Sequence, residues 1–252
     1  GNDVYIIDSI IDVIDDFSGT DVVQSSVTFD LASSLVSGVE NLSLSGGANI
    51  NGTGTRLANW IVGNAGDNSL YGREGADTLL GGAGADTLKG GPDGSIDSLV
   101  GGADDDFYII DEALEIINDE SGEDTVLTTL SLTLQGNSGV ENLILSPTLT
   151  GAAANISGTG NSLANSISGN AGNNSLFGGS DTLVDTLVGN GGNDTLRGSE
   201  STQAGDYLQG GSDDDIYIVS TVLDKISDLG GTDIVRSSVS YNLGSVLVSG
   251  LE

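Results

Sequence analysis

Apolar residues recur along this chain with two kinds of spacing. In the first, one large apolar residue stands between two small or polar ones, and the triplet returns about every nine residues. Leu70, Leu79, Leu88 and Leu99 follow this rule, and so do Leu176, Leu187, Leu196 and Leu208. Three residues that point out, in and out predict a very short strand with its centre toward a core. In the second, longer runs such as VYIID, DVVQSSVTFDL and VENLSLSG keep β-branched alternation without that spacing. They read as longer strands. The stretch DEALEIINDE (Asp111 to Glu120) has some helical propensity, but its counterparts DSIIDVIDD and TVLDKISD do not favour a helix. All three read as strand and loop.

The pattern repeats at two scales. GTDVVQSSV at Gly19 returns as GEDTVLTTL at Gly122 and GTDIVRSSV at Gly231. GVENL at Gly38 returns at Gly139, and a third copy begins at Gly250. DDDFYIID at Asp104 returns as DDDIYIV at Asp213, with NDVYIID at Asn2 as a shorter form. Long-period similarity of this kind marks a solenoid. The units are placed at 1–105, 106–214 and 215–252, the first with a truncated start and the third partial, as in a piece of a longer tandem array. Inside each unit a nonapeptide, G-G-x-G-x-D-x-U-x with U large and apolar, starts at Gly54, Gly63, Gly72 and Gly81. In the second unit it starts at Gly160, Gly169 and Gly189. Longer variants start at Gly90, Gly178 and Gly198, and DDD-bearing ends follow from Gly101 and Gly210.

Composition narrows the chemistry. Among 252 residues there are 40 Gly, 37 Asp plus Glu, 6 Lys plus Arg, and no His, Cys or Met, for a net charge of −31. Without Cys there is no disulfide or thiolate nucleophile, and without His no Ser-His-Asp triad and no imidazole ligand. Excess negative charge disfavours nucleic acid as a partner. No apolar run reaches the roughly 20 residues that span a bilayer. The opening GNDVYIID has no cationic and apolar pattern of signal type.

Glycine at the first, second and fourth places lets six residues turn sharply, and the last three form the strand. Two nonapeptides make one coil, and stacked coils give two parallel sheets over a thin Leu core. One Leu per nine residues is little burial against the entropy of ordering nine. Stacked Asp carboxylates also repel, so a cation must bridge the turns. Carbonyl oxygens and a carboxylate, with no N or S donor, make a hard-cation site that suits calcium better than magnesium. Turns on one side lie two repeats apart, so Asp77 is expected to share an ion with Asp97, and Asp86 with Asp106.

The nonapeptide resembles the RTX, or haemolysin-type, calcium-binding repeat. The GTG-x-x-LAN and GVENL segments resemble stretches between repeat blocks in large repetitive RTX proteins. The resemblance implies an all-β, right-handed parallel β-roll or β-helix solenoid, calcium-dependent folding, several bound Ca2+ ions and type I secretion from a Gram-negative-like bacterium. By that pattern the carboxylate ligands are Asp77, Asp86, Asp97, Asp106, Asp185, Asp194, Asp206 and Asp215. Carbonyls come from the turns of Gly72, Gly75, Gly81, Gly84, Gly90, Gly101, Gly189, Gly192 and Gly210. Asn59, Asn68, Asn165 and Asn174 replace Asp; Asn68 and Asn174 are carried as candidate ligands of turns expected to be weaker or ion-free. Asp104 and Asp213, in place of the fourth Gly, are further candidates. The insertions leave Asp97, Asp185 and Asp206 less firmly placed.

A second carboxylate pattern recurs between blocks: Asp16 with Asp21, Asp119 with Asp124, Asp228 with Asp233. It fits an Asx-type turn, and also a further calcium site. Trp60 reads as an outward surface residue or, less simply, a sugar-stacking platform. Thr78 and Thr87 form too broken a row for an ice- or sugar-binding face. The six cations are expected to pair with nearby carboxylates, and Glu40, Glu141 and Glu252 to be structural.

The function expected is structural: a calcium-rigidified part of a secreted adhesin, surface layer, biofilm matrix or filament at the cell surface, not an enzyme. Neighbouring copies of itself are candidate partners. The alternative is an accessory secretion or folding module of a secreted polysaccharide-active enzyme, protease or lipase.

Overall fold

The computed structural model describes the chain apart from residues 137–138, 148–153, 202, 245–247 and 250–252; Gly250 and Glu252 therefore lie outside the described residues. Every regular element among the described residues is a strand, and the strands pair in parallel, as nonapeptide stacking requires. The chain forms two compact units, Gly1–Asp124 and Thr125–Glu252. Each is a parallel β-solenoid, the architecture expected from the repeat. Among the described residues no helix is long and apolar enough to cross a membrane.

In the first unit one face runs Val4–Ile7, Val22–Ser25, Asn41–Leu44, Trp60–Val62, Thr78–Ala83, Ser98–Ala103, Ile116–Ile117. The other face includes Gly52–Thr53, Ser69–Tyr71, Thr87–Lys89 and Phe107–Ile110. Register puts like on like. Leu42, Ile61, Leu79, Leu99 and Ile117 stack in one column, each at most 1% exposed. Leu70, Leu88 and Tyr108 stack in the facing column and are as deeply buried. All but Leu42 and Ile117 are U positions, so the thin core is the one the nine-residue spacing predicts, continued by the longer coils on either side.

The second unit repeats the plan. Leu143, Ile167, Leu187, Leu208 and Ile226 form one column, and Leu176, Leu196 and Tyr217 the other, all buried. The insertions do not break these columns. Ile61 to Leu79 is 18 residues, whereas Leu79 to Leu99 is 20, yet both pairs are in register. The extra residues lie in the turn, where Pro92, Asp93 and Gly94 are exposed. Asp97 is thereby returned to its place, and so are Asp185 and Asp206.

Candidate metal centre

Each coil ends its turn with the sixth-position residue buried just before the next strand. Parallel pairing then sets that residue above its counterpart one coil away. The backbone N–H of each donates to the carboxylate of the next: Asn59 to Asp77 Oδ1 (2.7 Å) and Asp77 to Asp97 Oδ1 (2.8 Å). On the other side Asn68 donates to Asp86, Asp86 to Asp106 and Asp106 to Asp124 (2.7, 2.7 and 2.8 Å). The structure thus brings together the pairs Asp77 with Asp97 and Asp86 with Asp106.

The second unit has the same two ladders. One runs from Asn165 through Asp185 and Asp206 to Asp224, at 2.9 to 3.1 Å. The other runs from Asn174 through Asp194 and Asp215 to Asp233, at 2.7 to 2.9 Å. Ladder members Asp124, Asp224 and Asp233, and Asp21, whose Oδ1 accepts the Asp3 N–H in the same way (2.6 Å), lie outside the nonapeptide blocks. The nine-residue motif could not find them; only the recurrence of G-x-D hinted at three of the four.

The second carboxylate oxygen is what points to a metal. Oδ2 of Asp77, Asp86, Asp106, Asp185, Asp194 and Asp215 is buried and has no hydrogen-bond partner. In Asp86 this atom lies against Gly81, where a Cβ would collide with it and sit 2.6 Å from the Gly101 carbonyl oxygen. A side chain at the first place of the turn would therefore fill the space between carboxylate and carbonyl. Buried polar groups are almost always satisfied, so a row of orphaned carboxylate oxygens beside carbonyls fits an oxygen-coordinated cation. Burial pushes Asp77, Asp106, Asp185 and Asp194 up to about 7 and Asp86 and Asp215 up to about 6. The donated N–H works against that rise, and neighbouring carboxylates add to it. Asp97 is raised for the same reasons.

The asparagine turns are satisfied differently. Asn68 Nδ2 donates to the Ile50 carbonyl (2.6 Å) and to Asn64 Oδ1 (3.0 Å), while its Oδ1 accepts the Asn64 N–H (2.8 Å). Asn59 donates to the Glu40 carbonyl (2.5 Å), Asn165 to the Glu141 carbonyl (3.1 Å) and Asn174 to the Ile156 carbonyl (3.1 Å). In each the amide oxygen takes the place beside the turn's first glycine that Oδ2 holds in an aspartate turn, and the amide hydrogens face carbonyls of the preceding coil. Asp206 is intermediate: its Oδ2 accepts the Ser199 N–H (2.6 Å) and hydroxyl (3.1 Å). Asp104 and Asp213 occupy the left-handed glycine position, at φ 75° and 80°, with exposed side chains. Each accepts one N–H at 3.1 Å, from Gly84 and Gly192 respectively.

Some expectations about single residues find partners here. Glu40 Oε2 accepts the Asp21 N–H (3.0 Å), which extends a ladder. Arg56, Arg73 and Lys89 pair with Glu74, Asp30 and Asp111, and Arg197 with Glu200. Lys225 differs: its Nζ donates to Tyr207 Oη (2.7 Å) and lies 4.3 Å from that ring's centre. Tyr108 and Tyr217 were legible only as apolar U residues. Their hydroxyls accept the Gly101 and Gly210 N–H groups and donate to Asp119 (2.9 Å) and Asp228 (2.6 Å). Burial and the adjacent carboxylate hold the Tyr108 hydroxyl protonated, far above the usual phenol range.

Fold and turns together define a calcium-binding repeat solenoid, a coil whose turns carry stacked carboxylates and carbonyls. The family model of the RTX calcium-binding nonapeptide repeat matches in four copies, over residues 53–88, 159–184 and 181–202. These blocks are RTX calcium-binding nonapeptide repeats, and calcium is the ion they imply. No curated protein matches the chain.

Proposed function

We propose that this chain is a calcium-rigidified structural segment of a secreted protein, acting at or beyond the cell surface in an adhesin, surface layer, matrix or filament. It carries no catalysis of its own, and the repeat units at 1–105, 106–214 and 215–252 are its modules. The observation that carries this reading is the row of buried, orphaned Oδ2 atoms stacked coil upon coil. Charge of that kind inside a thin core opposes folding until an ion supplies the missing partner. Folding is then conditional on calcium, which suits a protein that must stay unfolded where calcium is scarce and set where it is abundant.

Asp77, Asp86, Asp97, Asp106, Asp185, Asp194 and Asp215 would supply carboxylate oxygens, and the turn glycines that face them would supply carbonyls. Calcium contributes one thing when bound: positive charge that several oxygens of adjacent turns can share. The chain's own contribution is to hold those oxygens in register. Asp206, already satisfied by Ser199, would bind more weakly. Asn68 and Asn174 would close their turns with amide hydrogens instead. Asp104 and Asp213 would add negative potential at the turn surface.

The test is circular dichroism of the purified chain titrated with a calcium chelator. Loss of the β signal, restored by calcium, is expected. An unchanged spectrum in excess chelator would reject the reading.

A further inference from the structure

A three-carboxylate cluster recurs where each nonapeptide block ends, and the turn motif does not account for it. Asp106, Asp119 and Asp124 each bring a carboxylate oxygen within 4.8 Å of the others, and Asp215, Asp228 and Asp233 do the same. A third set, Asp3, Asp16 and Asp21, lies near the start of the chain. Spacing is identical in all three: 13 residues, then 5. In each, a tyrosine two residues after the first aspartate donates its hydroxyl to the second: Tyr108 to Asp119, Tyr217 to Asp228, Tyr5 to Asp16.

Local order explains why the cluster exists. The last nonapeptide aspartate has no further nonapeptide after it, so the following coil must complete the ladder. Asp124 and Asp233 do so by accepting the Asp106 and Asp215 N–H groups. Asp119 and Asp228 then enter from the intervening loop. Their Oδ1 atoms accept the tyrosine hydroxyls and also the Gly102 and Gly211 N–H groups (2.9 and 3.3 Å). A turn that only organised its own backbone would not need three carboxylates at one point, since like charges so close repel.

Two further atoms point at a ligand. Asp106 is 2% exposed and Asp215 1%, and the Oδ2 of each has no hydrogen-bond partner. Each of these atoms crowds the same glycine as the tyrosine hydroxyl: a Cβ built on Gly101 would strike both Asp106 Oδ2 and Tyr108 Oη, and one on Gly210 both Asp215 Oδ2 and Tyr217 Oη. Orphaned oxygen, tyrosine hydroxyl and loop carboxylate therefore converge. The donors are all oxygen and the charge is strongly negative, which selects a hard divalent cation.

We infer that Asp106, the last nonapeptide aspartate of its block, forms a calcium site with Asp119 and Asp124 from outside the motif, that Asp215, Asp228 and Asp233 form its repeat, and that the site closes each block onto the coil that follows. This rests on the reading of the chain as a calcium solenoid, and extends it from the motif to the segments between motifs. Asp3, Asp16 and Asp21 make a more open version, since Asp3 is exposed. The tyrosine is a positioning residue: its hydroxyl fixes which way Asp119 or Asp228 faces.

The experiment is native mass spectrometry of the whole chain titrated with calcium, on the parent and on a double variant, Asp119→Asn with Asp228→Asn. Asparagine keeps an acceptor for the tyrosine hydroxyl and removes the charge. The variant is expected to bind one ion fewer for each altered cluster while the nonapeptide ions remain. An unchanged ion count in the variant would overturn the inference and leave the solenoid reading standing. If the parent binds no calcium at all, both fall. Should the variant fail to fold, terbium located by anomalous scattering in crystals of the parent decides. A peak among Asp106, Asp119 and Asp124 supports the site, and terbium confined to the turns of Asp77, Asp86, Asp185 and Asp194 overturns it.

Discussion

Asn68 and Asp86 occupy the same place in two successive coils of one ladder, and a single atom separates them. In Asn68 that atom is an amide nitrogen that donates to the Ile50 carbonyl at 2.6 Å. In Asp86 it is Oδ1, which accepts the Asn68 N–H at 2.7 Å, and the other oxygen, Oδ2, is buried beside Gly81 without a partner, where Asn68 has an Oδ1 that accepts the Asn64 N–H. The second unit repeats the contrast between Asn174 and Asp194. The asparagine turns open the ladders of each block, where the coil beneath presents the Ile50 and Ile156 carbonyls. An amide can satisfy those carbonyls by itself, and a carboxylate cannot. One backbone geometry thus has two ways to close, one built into the chain and one needing an ion from outside.

The comparison can be stressed in three ways, starting with the largest effect. The first uses pH with chelator present. The folded carboxylates of Asp77, Asp106, Asp185 and Asp194 sit at about 7, and those of Asp86 and Asp215 at about 6, against an ordinary Asp value of roughly 3.9. Raised in the folded state, they contribute stability that is full below about 4 and lost as pH rises through 6 to 7. A protonated Asp can also donate, as the Asn amide does. More β-structure is expected at pH 5 than at pH 8 in the calcium-free chain, and a far-ultraviolet circular dichroism series that stayed flat across that window would show that these carboxylates are not held up by burial. With calcium present the trend should flatten or invert, because protons and the ion compete.

The second is Gly81→Ala. Its methyl group would occupy the gap between Asp86 Oδ2 and the Gly101 carbonyl. A loss of about 1 to 3 kcal/mol in saturating calcium is expected from overpacking, with weaker calcium affinity. Thermal melts and calcium titration both read it, and a melt unchanged in calcium would mean the gap holds nothing. The third is Asn68→Asp, which replaces the amide nitrogen that donates to the Ile50 carbonyl with an oxygen that cannot donate. In chelator it should cost about 1 to 3 kcal/mol, the penalty of an unsatisfied buried group. In calcium the cost should shrink. Equal destabilisation with and without calcium would show that the Asn and Asp turns are not alternatives.

Much of this was legible beforehand because the period is strict. The U residues, the parallel coils and the pairing of Asp77 with Asp97 all follow from a nine-residue spacing and its doubling. The insertions made Asp97, Asp185 and Asp206 harder to place, because counting residues cannot say which way extra ones go. In the fold they go outward, since the stacked Leu columns hold the strands in register. The D-x-x-G-x-D pattern looked equally like a turn. Its second face came into view only when Asp106 and Asp215 arrived beside it from another coil.

By itself, the sequence determined the all-β coil, its thin apolar core and its preference for a hard cation, because each is written locally in a repeating pattern. The tertiary structure alone decided which carboxylate oxygens are left without partners, how the asparagine turns close themselves, and that Tyr108 and Tyr217 steer loop aspartates toward block ends. Those outcomes depend on residues about 18 to 21 positions apart meeting across coils, and hydrogen bonding across a stack is fixed by register, which no single turn contains.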